Sequence, residues 1–155
     1  MKIDASVLPQ IEKMIKASTL MKKRVKDLSP IAEDLAVVVR DDIKERFDSS
    51  PRVETGGLVY GDASWPRLTD YTLRKHPHRR GGKILIDTGE LRKDCISDTA
   101  KGNRYYVQKP GFFSYILTSK KAVENQEKRP ILFMHRGLAE NLSKTVVDYV
   151  QGRKQ

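Results

Sequence analysis

The chain's 155 residues suit one domain, and 38% apolar against 32% charged residues leave it a thin core for that length. Thirty Lys and Arg face 20 Asp and Glu, a net charge of +10 that favours nucleic acid, a membrane or an acidic protein face without choosing among them. The single cysteine, Cys95, excludes an internal disulfide and suits a reducing cytosol, and no apolar run approaches the roughly 18 residues of a membrane span.

The first residues, MKIDASVLPQIEK, are broken by charge and by Pro9 and lack the core of a signal peptide, so a soluble chain used without export is expected. Leu8, Ile11, Ile15, Leu20, Val25 and Leu28 keep rough helical spacing, predicting an amphipathic helix over Val7 to Leu28. Lys22, Lys23, Arg24 and Lys26 cluster near its C-terminus, where the helix dipole favours cations. Residues 1–28 thus read as a basic helical extension, and residues 29–155 as an α+β domain. Ser29-Pro30 has the form of an N-cap followed by proline at the first helical position. Ile31, Leu35, Val38, Val39, Ile43 and Phe47 then make one apolar stripe, a long helix to about Phe47.

Asp48-Ser49-Ser50-Pro51 ends that helix, and an irregular stretch with Gly56, Gly57, Gly61, Trp65 and Pro66 follows. Leu68, Tyr71 and Thr72 suggest a short helix up to Lys75. The HPHRRGGK run, His76 to Lys83, reads as an exposed basic loop. Arg74, Lys75, Arg79, Arg80 and Lys83 in and beside it are candidates for contact with a partner or with DNA, although no aromatic residues alternate with them to stack bases. His76 and His78 have no carboxylate or thiolate near them in sequence, which argues against a metal site.

The stretch ILIDTGELRKDC, Ile84 to Cys95, contains the Asp-Thr-Gly of an aspartic protease. That chemistry needs two such loops sharing a proton, on a largely β chain. Asp87 and Glu90 instead fit a D-x-x-E capping box with Ile86 and Leu91 as its apolar staple, predicting a strand Ile84 to Ile86 and a helix to about Ile96. Cys95 reads as a small buried side chain. Pro110-Gly111 between Tyr105 to Val107 and Phe112 to Thr118 predicts a β-hairpin with a type II turn. Thr118 to Arg129 reads as a loop and Pro130 to Met134 as a last strand. Leu138, Leu142, Thr145, Val146 and Tyr149 mark a C-terminal helix ending at Gly152. Leu35, Val38, Ile43 and Phe47 are expected to face Leu85, Val107 and Ile116.

Several of these residues fall in a recognisable order: Trp65, Leu68 and Thr72, then Leu85, Thr88, Gly89 and Leu91, then Tyr115, then Arg129, Pro130 and Phe133. From about Ile31 to Val150 the pattern resembles the virion morphogenesis, or tail completion, proteins of Mu-like tailed phages and prophages. The resemblance implies a long helix packed on a small antiparallel sheet, with no cofactor, and binding work rather than catalysis. It further implies a ring of copies, usually sixfold, at the head–tail junction of a virion made in the host cytoplasm. The partners implied are portal, adaptor, stopper or tail-tube proteins, with packaged DNA within reach. The segment Met1 to Lys26 lies outside the resemblance. Self-repulsion at +10 suggests that its lysines meet partner proteins or DNA rather than other copies. The alternative is a basic nucleic-acid-binding protein.

Overall fold

The computed structural model describes residues 8–50, 65–97 and 102–153. It is an α+β chain: α1 (Leu8–Lys26), α2 (Ala32–Ser49), α3 (Asp70–Lys75), α4 (Glu90–Ile96), a hairpin of β1 (Asn103–Gln108) and β2 (Phe112–Leu117), α5 (Lys120–Gln126) and α6 (Arg136–Val150). Among the described residues no helix is long and apolar enough to cross a membrane. The stretch after Ser50, with Gly56, Gly57 and Gly61, lies outside the described residues.

The apolar period of α2 is what the other elements pack on. Leu35, Val39, Ile43 and Phe47 are all buried. Ile43 and Phe47 enter a cluster with Trp65, Ile84, Cys95, Leu117, Ile131 and Leu138. Leu35 joins a second cluster at the other end of the helix, with Leu28, Ile31 and Tyr149. Entry into α2 differs from the Ser29 cap. Ser29–Ile31 is a 3-10 turn with no side-chain cap at its start, and the Asp27 carboxylate accepts the Ser29 N–H at 3.0 Å. Asp27 wins because its longer acidic side chain reaches forward to a free N–H, an Asx turn. Hydrogen bonds from Ser29, and then Lys109, lower its pKa from 3.8 to about 2.

β1 and β2 pair antiparallel with Tyr105 opposite Tyr115 and Val107 opposite Phe113. Alternation turns Phe113, Tyr115 and Leu117 toward the core. The same alternation leaves Ile116 outward, 42% exposed, so it does not meet α2 as expected. Gly111 has the positive φ, +70, that a type II turn requires of its glycine, but the Lys109–Pro110 peptide before it is cis.

Three expected elements are different. Ile84 to Ile86 forms turns rather than a strand, because Leu85 takes φ +61 and the Ile84 N–H bonds the Ser50 hydroxyl at 2.7 Å. The supposed loop after Thr118 contains α5, which buries Ala122. Pro130 to Met134 is irregular: the Gln126 side-chain oxygen Oε1 accepts the N–H groups of Ile131 and Leu132 at 2.9 and 3.0 Å, taking the place of a neighbouring strand.

α6 is tied to α2 by His135. Its Nδ1 accepts the Leu138 N–H at 3.4 Å as the helix N-cap, so Nε2 carries the proton and donates to Asp42 Oδ1 at 2.6 Å. Both side chains are nine-tenths buried. Arg46, fully buried one turn after Asp42, stacks its guanidinium 5.6 Å from the centre of the Phe133 ring.

Phe47→Ala should cost about 3–5 kcal/mol, whereas Ile116→Ala should change stability by about 0.5 kcal/mol or less. Urea midpoints distinguish the two, and a tolerated Phe47→Ala would refute this packing. His135→Ala should cost about 3 kcal/mol, because Asp42 is left buried without its donor. Asp27 has a folded-state pKa below its unfolded value, so its contribution is present above about pH 4 and is lost as pH falls toward 2. Asp27→Asn should flatten the acid limb of the stability profile in that window, measured by urea unfolding at each pH.

Candidate functional site

The residues that carry the family resemblance are spread over the chain from 65 to 133, and most converge. Trp65 is fully buried, edge-on to Phe47 at 5.6 Å, and its indole N–H donates to the Pro130 carbonyl at 2.9 Å. Arg129 donates through Nε to Pro66 O at 3.2 Å and through Nη2 to Arg67 O at 3.4 Å. These bonds stitch the segment before α3 to the segment after α5. Thr69 then caps α3, its hydroxyl accepting the Thr72 N–H.

The result is a groove of about 550 Å³ whose lining includes Leu68, Thr72, Leu85, Thr88, Gly89, Leu91 and Arg129. Tyr115 stands outside it and donates to Cys95 O at 2.9 Å, holding α4 on the hairpin. Phe133 also lies elsewhere, against Arg46. A larger depression of about 860 Å³ runs between Asp48, Lys83 and α4, but the motif residues, Gly89 apart, do not form it.

Arg79, Lys121, Lys128 and Arg129 line the motif groove against two carboxylates, Asp87 and Glu90. Burial lowers the Arg129 pKa, and the Arg79 charge lowers it further. Glu90 pairs with Lys121 at 3.2 Å, and Asp87 with His78 at 2.9 Å. The groove therefore presents positive charge beside hydroxyl groups.

The capping box is not formed. α4 begins at Glu90 with Gly89 as N-cap at φ +79 and no side-chain cap bond; the Asp87 carboxylate turns to His78 instead. That bond, with the neighbouring cations, holds the Asp87 pKa below its ordinary value. The shift runs opposite to the raised acid that a proton-sharing protease pair requires. Histidine and carboxylate do meet here, contrary to the sequence reading, yet among the described residues no group of three or more His, Cys, Asp and Glu could hold a metal. Cys95 is buried as expected, and desolvation pushes its thiol up to about 12.

The two basic stretches do not form one patch. α1 ends beside the start of α2, and Lys83 lies 3.8 Å from Asp48 at the other end. The 18 residues of α2 separate them by about 27 Å. Arg74, Lys75 and Arg80 are exposed, and so are Lys22, Lys23 and Lys26. Arg24 is occupied: its guanidinium sits 5.6 Å from the Tyr149 ring centre and donates to Val150 O at 3.3 Å. Sequence reasoning missed Thr69, Lys121 and Lys128 in the groove, and Asn103, whose buried amide holds Asp94 O and Ser97 O at 2.9 Å each. The partners of Lys121 and Asn103 lie in other elements, so no local pattern marks those two.

No family model matches the chain, and neither the curated proteins nor the solved structures gave a significant match.

Three outcomes check this geometry. Gly89→Ala should destabilise the chain by about 1–2 kcal/mol, since a Cβ at φ +79 is strained even though it would meet no neighbouring atom. Asp87→Ser should leave α4 and function intact, and loss of function in a folded Asp87→Ser protein would reinstate a chemical role. Cys95 should resist alkylation at neutral pH at a rate set by unfolding, measured by thiol labelling with and without urea.

Proposed function

We propose that this chain is a structural subunit of a tailed-phage virion, forming a ring that completes the tail or connects it to the head. Its partners on this reading are copies of itself and portal, adaptor, stopper or tail-tube proteins, and its work is binding rather than catalysis. The observation that carries the reading is the convergence just described. Motif residues from separate segments build one cationic groove, while Trp65, Pro130 and Arg129 hold its walls together. A surface assembled in that way suits recognition of an acidic protein face.

The alternative, a nucleic-acid-binding protein, draws on the +10 charge. It is weakened by the separation of the basic stretches along α2 and by the scarcity of aromatic side chains beside them.

Particles made without this protein should accumulate as tailless heads beside free tails in micrographs, and normal particles would refute the reading. Lys121→Glu with Lys128→Glu should leave the thermal midpoint nearly unchanged and reduce head–tail joining in a reconstitution assay. A salt-sensitive gel shift of DNA by the monomer, with joining unaffected, would favour the alternative.

A further inference from the structure

α1 is an arm. Every described side chain from Glu12 to Lys23 is exposed, and among the described residues only the last turn is held. Arg24 stacks on Tyr149, and Gly111 at the hairpin tip packs so closely that a Cβ there would lie 2.3 Å from Val25 O. From Leu8 to Lys23 the arm extends about 24 Å. Such a helix has little stability of its own in water, because helical stability comes mainly from a covered apolar face.

It has such a face. Met14, Met21 and Val25 recur along one side with Ile15 beside them, and all four are open to solvent at 41–72% exposure. Lys13, Lys16 and Lys23 occupy the other side. In all, α1 carries six basic residues against one acid.

α2 has the opposite balance, six acids against three bases. With α6 it encloses a groove of about 460 Å³ whose charged lining is Asp41, Asp42, Glu45 and Asp148 against one lysine, Lys144, with Val38 among the apolar lining. Asp42 is committed to His135 and Asp148 to Arg153. Asp41 and Glu45 are exposed and form no ion pair among the described residues, and the same is true of Lys13, Lys16, Lys22 and Lys23. Next to the groove, Val37 and Val147 remain open at 41% and 47%. Unpaired bases flanking an apolar stripe therefore face a counterpart of unpaired carboxylates flanking open valines.

The arm cannot fill its own groove while Arg24 and Val25 hold its base. We propose that α1 docks on the acidic α2–α6 face of a second copy of this chain, with its methionines on the valines and its lysines on Asp41 and Glu45. The chain is +10 in all, but α2 is acidic, so two copies do not simply repel along this face. Each copy offers one arm and one groove, so the contact is heterologous and closes into a ring or extends as a chain. The contact deepens the ring-subunit reading and rests on that reading only for its place in a particle.

The experiment is sedimentation of the purified full chain at rising salt, with two exposed-surface variants, Met14→Asp/Met21→Asp in the arm and Asp41→Lys/Glu45→Lys in the groove. The parent should self-associate and dissociate as salt rises, and each variant should be monomeric with unchanged circular dichroism and melting. An equimolar mixture of the two should form a dimer and stop there, because one intact arm and one intact groove remain. A parent that stays monomeric at every concentration, a groove variant that associates like the parent, or a mixture that stays monomeric each overturns the proposal. No phage component enters this measurement, so its failure is separable from failure of the virion reading in the particle experiment.

Discussion

The structure depends on the apolar face of α2. A two-stranded hairpin is at best marginal alone, and α4, α6 and both strands touch α2. With Ile43 and Phe47 fully buried, one helix joins the cluster around Trp65 to the cluster around Tyr149. Removing volume there removes the surface on which the hairpin, α4 and α6 rest.

Because the described sheet stops at two strands, side chains supply many of the ties that a larger sheet would provide through its backbone. Gln126 satisfies the Ile131 and Leu132 amides, Asn103 satisfies the last carbonyls of α4, and Trp65 satisfies Pro130. His135 serves two helices with its two ring nitrogens, so the start of α6 and the middle of α2 are positioned together. Buried polar groups left without partners are costly, and these bonds therefore select one arrangement of otherwise short elements.

Charge is segregated rather than spread. The excess positive charge lies on α1 and around the motif groove, whereas α2 is acidic along its outward side. That division gives a strongly basic chain two different kinds of surface. One is a cationic groove built by remote segments, and the other is an acidic face beside α6. An account based on net charge alone would have merged them.

The features legible along the chain were those with a local period or a local steric cause. The stripes of α2 and α6 follow from apolar spacing. The hairpin follows from alternation around Pro110-Gly111, and Cys95 is buried on the apolar side of a short helix. The motif residues were legible as a set, but not as the walls of one groove. Folding, and no local pattern, set Asp87 against His78 instead of at the cap of α4, kept Ile84 to Ile86 and Pro130 to Met134 from becoming strands, and brought Arg129 to Pro66. Each of those outcomes turns on which donor or acceptor outside the local repeat lies within about 3 Å in the folded chain. A hydrogen-bond partner more than 60 residues away leaves no trace in the periodicity of either segment.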